Sequence, residues 1–253
     1  MRVLPFAVPG VVAALGAGIL LFAGRELWYA LRIYRGDPTA IADAVNDPGP
    51  VELQGVARPE NGTVRSPFSD SECVICEWEV EREYASSGMG GTHWETEVDG
   101  LMGGPFALDD GTARCRVEPA GSDRQLQPQR VSVPAGTELP DRLVSFAADH
   151  PEVETRPTGT GAPRAAHDYR FVERRLDAGE TCFVYGYGHY DSGVGRGAGW
   201  VNLVVNGDGA RRFLIADTRA RGVAWELVKT GLGGVVVALV VLFGAAVAYA
   251  ILA

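Results

Sequence analysis

The chain has 253 residues, enough for one sizeable domain with appendages or for two small domains. Asp and Glu outnumber Lys and Arg by 32 to 23, the net charge is −9, and Lys229 is the only lysine. This balance excludes nucleic acid as the expected partner, because no basic stripe could neutralise phosphates, and four cysteines are too few for a disulfide scaffold.

The first predicted element is a membrane-spanning helix at the amino terminus. Val3–Ala23 contains no charged side chain, and at about 1.5 Å per residue it spans roughly 30 Å, the thickness of the bilayer hydrocarbon. Trp28 and Tyr29 follow as an interfacial aromatic pair, so residues 3–35 are assigned to the helix and its anchor. A cleaved signal peptide is the alternative, but the apolar stretch exceeds a usual h-region and only Arg2 precedes it.

A β-rich domain is predicted over residues 51–217, after a short linker at Ile41–Pro50 that is closed by turn residues. Val51–Ala57 alternates apolar and polar residues at its start, as a half-buried strand does. The clearest strand is Cys76–Tyr84, whose even-numbered residues, Trp78 among them, share one face. The other face predicts a solvated acidic surface, with a divalent-cation site as the alternative, because it carries Glu77, Glu79, Glu81 and Glu83.

The remaining elements of this domain are short. A helix is predicted at Pro140–Asp149, where apolar residues recur at helical spacing, and Asp109-Asp110-Gly111 has the sequence of a hairpin turn. Further strands are predicted at Thr92–Val98, Thr112–Val117, Tyr169–Leu176, Thr181–Tyr185, Trp200–Val205 and Arg212–Ile215. About eight to ten short strands with one or two helices predict a mainly β (α+β) domain, a barrel or a sandwich, flanked by two transmembrane helices.

The motif Cys73-Val74-Ile75-Cys76 raises a metal-binding hypothesis. Its two thiolates could form a tetrahedral zinc site together with Cys115 and Cys182. Against this, an offset of three within one strand puts Cys73 and Cys76 on opposite faces, and the two residues between them favour a strand over a tight turn. Buried structural cysteines are therefore the favoured interpretation, a zinc site and a redox pair are the alternatives, and no cofactor is expected.

The glycine-rich stretch Gly186–Gly197 holds the other candidate residues. His189, Asp191 and Ser192 could form a nucleophilic site, but triads are assembled from distant segments, so a flexible hairpin tip is the favoured interpretation. The glycines from Gly193 onward lack the lysine and the strand–helix context of a phosphate loop. No catalytic or cofactor-binding residue is therefore assigned.

A second membrane-spanning helix is predicted at Gly231–Ala253, where no charge follows Lys229. An amphipathic lead-in extends this segment to residues 218–253. Positive charges flank both helices on the side of the central domain, namely Arg25, Arg32, Arg35, Arg219, Arg221 and Lys229. By the positive-inside rule, we expect a multi-pass protein of the cell membrane with its central domain in the cytoplasm.

Several stretches together resemble the GIDE family, whose central module is also called the BAM (beside a membrane) domain. They are Val51–Ala57, Ser66-Pro67-Phe68-Ser69, Glu72-Cys73, Trp78-Glu79-Val80, Tyr169–Leu176, Asp177-Ala178-Gly179-Glu180 and Phe213–Asp217. Eukaryotic proteins with this module resemble mitochondrial or plastid RING-type E3 ubiquitin ligases, in which the RING follows the second membrane helix. This sequence ends at Ala253 and all its cysteines precede that helix, so we expect the membrane module without a RING, which needs two zinc-binding sets of Cys and His.

Three functions follow from these observations. The first is a non-enzymatic module at the bilayer that binds a protein partner, a lipid-proximal ligand or its own copies. The second, implied by the resemblance, is a ligase-pathway component that recruits a separate RING or ubiquitin-like protein. The third is a hydrolase that uses the His189 loop. The composition, acidic and almost without lysine, resembles that of a halophilic archaeon, although a bacterium with a GC-rich genome would also replace lysine by arginine.

Overall fold

The structure is a computed structural model that describes residues 4–35, 37–86, 90–157, 161–217 and 220–252. The chain forms two compact units, one made of Met1–Pro38 with Thr218–Ala253 and the other of Thr39–Asp217. Strands outweigh helices by 40% to 27%, which confirms the predicted mainly β class with an apolar helix at each end.

The elements of the described residues are as follows. The helices are α1 Leu4–Arg35, α2 Ile41–Ala44, α3 Asp141–Asp149 and α4 Ala220–Leu252. The strands are β1 Pro50–Pro59, β2 Val64–Arg65, β3 Glu72–Ala85, β4 Thr92–Gly103, β5 Phe106–Asp109, β6 Arg114–Val117, β7 Asp123–Gln125, β8 Pro128–Val133, β9 Thr155–Arg156, β10 Arg164–Ala165, β11 Tyr169–Asp177, β12 Thr181–Tyr190, β13 Trp200–Asn206 and β14 Leu214–Ala216.

The first unit consists of α1 and α4 packed side by side. Small residues allow the close approach: a β-carbon at Gly16 would lie 2.8 Å from the side chain of Leu242. Gly10–Leu31 and Val228–Ala250 are each long and apolar enough to cross a membrane. The exposed side chains of these helices include large apolar ones such as Leu21, Val240 and Phe243.

Five strands of the second unit close into a barrel. Strand β1 pairs with both β5 and β12, β5 pairs with β6, and β13 joins β6 to β12. All these neighbours are antiparallel except β6 and β13, and the order β12-β1-β5-β6 is that of a Greek key. The interior is apolar and enclosed, with side chains at 0% exposure such as Leu53, Leu108, Cys115, Cys182 and Leu203. The barrel alternative of the sequence prediction is therefore the one that the structure adopts.

A second sheet has β3 at its centre. Strand β11 pairs along one side of β3, β2 and β4 pair along the other, and β8 pairs with the far side of β11. Helix α3 buries Leu143 and Phe146 in the core of this sheet. The ring centroid of Phe68 lies 4.9 Å from that of Phe146 and 5.2 Å from that of Phe171, in edge-to-face contacts. Each such pair contributes about 0.5–1.5 kcal/mol to stability beyond what the burial of the rings contributes.

The strands of the second sheet are insertions into the barrel. In the chain, β2–β4 lie between barrel strands β1 and β5, whereas β8 and β11 lie between β6 and β12. The pairing of β3 with β11 therefore joins distant segments, and Glu79 contacts Arg174 across 95 residues. Beyond the closed barrel, β14 pairs with β12 and β7 pairs with β14. Strands β9 and β10 form a separate two-stranded sheet.

The predicted linker at Ile41–Pro50 is wrong in part, since it contains helix α2. Ile41 is 0% exposed and belongs to the barrel core. Its backbone N–H donates to Oδ2 of Asp110 at 2.8 Å, which ties the helix to the turn between β5 and β6. One helical turn contains too few residues to show a helical period, so only the turn residues of this segment are visible in the sequence.

Strand β12 continues to Tyr190, past its predicted end at Gly186. A glycine often ends a strand, but Gly186 lies inside β12, where close packing leaves no room for a side chain. A β-carbon at this position would lie 2.9 Å from the ring of Phe213 and 3.0 Å from the carbonyl oxygen of Asn206. His189 therefore lies in a strand paired with β13, and the prediction of a flexible hairpin tip is wrong for this residue.

Other differences concern strand ends and sheet edges. Strand β3 begins at Glu72, before the predicted Cys76, and β4 continues to Gly103, past the predicted Val98. Strands β2, β7, β8, β9 and β10 are absent from the sequence prediction. They contain only two to six residues and are largely polar, so they show no clear alternation of apolar and polar residues.

The close packing at β12 makes Gly186→Ala a destabilising change. The added methyl group meets Phe213 and Asn206, so the free energy of unfolding should fall by about 1–3 kcal/mol. Gly104→Ala is the control, because its β-carbon would have no atom within 4 Å, and its effect should stay within about 0.5 kcal/mol. Denaturant unfolding followed by tryptophan fluorescence measures both, and equal stabilities would contradict the tight packing.

Asp110 makes the stability of the second unit depend on pH. Burial raises the pKa of Asp110, but hydrogen bonds from Ile41, Thr112 and Ala113 outweigh this and hold the pKa below its usual value. A depressed carboxyl pKa stabilises the fold above the unfolded pKa of roughly 3.9, and this contribution is lost as the pH falls through the folded pKa. Asp110→Ala should lower the free energy of unfolding at pH 7 by about 1–3 kcal/mol, with a smaller difference near pH 3. Exposed Asp43→Ala, measured in the same pH series, should change little.

Candidate functional site

A bulge in β3 decides where its cysteines point. Strand β11 pairs regularly as far as Ile75, but its next residue, Asp177, pairs with Cys73, so Val74 has no partner of its own. Val74 and Ile75 both enter the barrel core. Cys73 and Cys76 both join the core of the second sheet. The prediction that an offset of three puts the two cysteines on opposite faces is therefore wrong, because a bulge adds one residue and resets the alternation.

The four cysteines are divided two and two between the cores. A hydrogen bond from the thiol of Cys76 lowers the pKa of Cys73, and the same bond, together with burial, raises the pKa of Cys76. Cys115 and Cys182 lie in the barrel core, where burial raises the pKa of both thiols. All four are free and buried. Within the described ranges, no three His, Cys, Asp or Glu side chains are grouped as metal ligands would be.

The outer face of the second sheet carries paired charges. Oε1 of Glu79 lies 2.8 Å from Nη1 of Arg174. Oε1 of Glu77 lies 3.2 Å from Nη2 of Arg124. The predicted acidic surface is therefore wrong for these two glutamates, because guanidinium groups from β11 and β7 neutralise them. Arg124 and Arg174 would compete with a divalent cation for these carboxylates. The sequence does not reveal this pairing, because both arginines are distant from the glutamates along the chain.

An apolar pocket of about 300 Å³ opens where β3 passes from one core to the other. Its walls come from the start of β3, the end of β4 with the turn that follows, and the loop after β6. The apolar lining consists of Ile75, Leu101, Met102, Pro105, Pro119 and Ala120. Glu118 and Arg124 supply its charged groups, and Arg124 is held by bonds to Glu77 and to the carbonyl oxygen of Ser122. Such a lining, mostly apolar with a few polar groups, is typical of binding sites.

Leu101 is exposed on the wall of this pocket. It is 55% exposed, and Tyr190 is the other large apolar side chain exposed in the described part of the second unit. Packing explains Gly100, because a β-carbon there would overlap the ring of Trp78. Backbone conformation explains Gly103, which has a φ of +100°. The predicted strand stops short of these residues, so sequence reasoning missed the pocket. A Leu-Met pair between glycines is the signal that could have revealed it.

The outer edge of β4 has no strand beside it in the described part of the chain, where its backbone pairs with β3 alone. A bulge at Glu97 interrupts this pairing, because the neighbours Val80 and Glu81 pair with residues two apart on β4. After the bulge, Val98–Gly103 forms a regular edge that ends at the pocket. Unpaired N–H and C=O groups along an edge are a template for another strand.

The His189 segment does not assemble into a catalytic site. Nε2 of His189 lies 2.9 Å from the carbonyl oxygen of Asp208, and Oδ1 of Asp191 accepts from the backbone N–H of Gly193 at 2.7 Å. Among the described residues, no hydrogen bond joins His189 to Asp191 or Ser192. The glycine-rich turns that follow lead into the strand β13, whereas a phosphate loop leads into a helix.

A different chain of polar side chains appears at the hairpin between β3 and β4. Oγ of Ser86 lies 3.3 Å from Nδ1 of His93, and Nε2 of His93 lies 2.7 Å from Oε1 of Glu95. This is the order of nucleophile, base and acid in a triad. However, the side chains of His93 and Glu95 are 45% and 60% exposed, so water surrounds them where a catalytic site needs preorganised donors in a dry environment.

The chain was compared with protein-family models, with curated proteins and with solved structures, and it matches none of them.

Proposed function

We propose that the chain is a multi-pass protein of the cell membrane whose second unit, in the cytoplasm, is a binding module for another protein. The observation that carries the proposal is the apolar pocket at Leu101, which opens beside an unpaired strand edge. Exposed apolar side chains and unpaired backbone groups mark surfaces that partners cover.

The terminal helices support the membrane part of the proposal. The spans Gly10–Leu31 and Val228–Ala250 are long and apolar enough to cross, and the exposed faces of α1 and α4 carry apolar side chains. In the sequence, positive charges lie at the end of each span nearest the central domain, as Arg25 and Lys229 do, or between the span and the domain, which favours the cytoplasm for that domain. The resemblance to the GIDE family points to the same arrangement of a module beside a membrane.

Binding fits the candidate residues better than catalysis does. The four thiols are buried, so substrates cannot reach them. His189 is bonded to a backbone carbonyl, and the chain from Ser86 through His93 lies in water. By contrast, the pocket combines an accessible apolar lining with few polar groups, which is the composition of a recognition site.

Crosslinking in native membranes, followed by mass spectrometry, tests the binding proposal. Carboxylate-reactive reagents suit a chain with 32 acidic residues and one lysine. We expect one or a few protein partners to be linked reproducibly to residues 39–217. A partner set of ubiquitin-like proteins would favour the ligase-pathway role instead, and links only between copies of the chain would favour self-association. If no protein is enriched over membranes that lack the chain, the proposal is wrong.

The orientation has a separate test, because the native cysteines are buried and an added thiol reports its own position. Thr92→Cys places a thiol at the exposed start of β4. A membrane-impermeant maleimide should label this variant only after the cells are permeabilised, and it should leave the unaltered chain unlabelled in both conditions. Labelling in intact cells would place the domain outside and overturn the proposed topology.

A further inference from the structure

The free edge of β4 determines what kind of ligand it can recognise. Val98–Gly103 is extended and paired on one side only, in the part of the chain that the structure describes. The groups left over are backbone N–H donors and C=O acceptors in regular alternation. Their complement is another extended backbone at a spacing of about 4.8 Å, which is how an added strand binds to a sheet.

The pocket adds a requirement for one side chain of that ligand. It lies at the end of the edge, and Leu101 and Met102 of β4 belong to its wall. Side chains of an added strand alternate between the two faces of the sheet, so one of them near this end is directed towards the pocket. A volume of about 300 Å³ is at the lower limit of ligand pockets and suits a single apolar side chain.

Charge narrows the choice of partner further. Asp99 lies within the edge, exposed and without an ion-pair partner among the described residues, and Glu97 precedes it. On the pocket wall, Glu118 is paired with Arg116 and Arg124 with Glu77, so neither contributes an unpaired charge. Strand β4 contains no lysine or arginine. Opposite charges across paired strands stabilise a sheet and like charges destabilise it. A segment with Lys or Arg is therefore favoured, and pairing with the same edge of a second copy is disfavoured.

We infer that Val98–Gly103 binds an extended segment of a partner protein as an added strand, with basic side chains near Asp99 and one apolar side chain in the pocket at Leu101. The inference rests on the proposed function and specifies its site and the chemistry of its partner. The edge is supplied by β4, and the pocket by the ends of β3 and β4 together with the loop after β6 and Arg124.

Selection from a random library of displayed peptides, about 12 residues long, tests the inference without assuming a sequence. The target is the full chain in nanodiscs of phosphatidylcholine, whose zwitterionic surface does not attract basic peptides. Enriched peptides should alternate apolar residues with Lys or Arg. Leu101→Arg, which obstructs the pocket and adds a like charge, should weaken their binding by at least about tenfold. Tyr190→Arg, at the other large apolar side chain exposed in the described part of residues 39–217, is the matched control and should bind as the unaltered chain does.

Hydrogen exchange of the same chain with a selected peptide shows whether a strand is added. Amides of residues 98–103 should gain protection, and a proline in the middle of the peptide should abolish binding because it removes a backbone donor. Enrichment of acidic peptides, protection only elsewhere, or equal loss with Tyr190→Arg would overturn the inference, as would a selection that enriches nothing. If native partners crosslink elsewhere in residues 39–217, the proposed function survives this failure. If no partner is crosslinked at all, both fail.

Discussion

Strand β3 packs against both hydrophobic cores of the β-rich unit, and the bulge at Val74 makes this possible. A regular strand offers any one core only every second residue. The added residue allows four consecutive side chains, Cys73 to Cys76, to be buried at 0–4% exposure, two in each core. Strand β4 follows β3 as far as Gly103 and then turns away, so the pocket at Leu101 opens at the same crossing. The candidate site thus results from the sharing of β3 between the two hydrophobic cores.

The two faces of the second sheet use charge for different purposes. On the outer face, Glu79 and Arg174 have side chains that are 21% and 27% exposed, and such a pair contributes about 0–1 kcal/mol. On the face covered by α3, the paired side chains of Glu173 and Arg175 are 3% and 8% exposed, and Glu173 also accepts the backbone N–H of Phe68 at 3.3 Å. Loss of one member of a buried pair costs about 3–5 kcal/mol. The outer pairs therefore favour one strand register, while the buried pair holds the Phe68 segment against the sheet.

The sequence predicted the elements that keep one period over many residues, as β1, β11, β13 and α3 do. It could not predict the bulge, because four buried residues in a row match neither a strand nor a helix period. The pocket was also missed, because its walls come from β4 and from the segment after β6, which pair with different strands. Phe68 belongs to the stretches that resemble the GIDE family, and the structure gives it a packing role in the aromatic cluster. The resemblance and the membrane topology remain predictions.

The construction of the second sheet from two insertions has a consequence for synthesis of the protein. Glu79 and Arg174 are 95 residues apart, and a ribosome adding roughly 5–20 residues per second needs roughly 5–20 s between them. Until β11 has been made, Phe68 lacks its contact with Phe171, and β3, which carries Trp78, lacks the strand that pairs along one of its sides. The nascent polypeptide therefore leaves apolar aromatic side chains incompletely covered for seconds, whereas helices and hairpins form within microseconds. Glu77 and Glu79, on either side of Trp78, pair with Arg124 and Arg174 in the folded chain, so their charges stay unpaired until those arginines have been made. Unpaired like charges oppose association of the chain with itself.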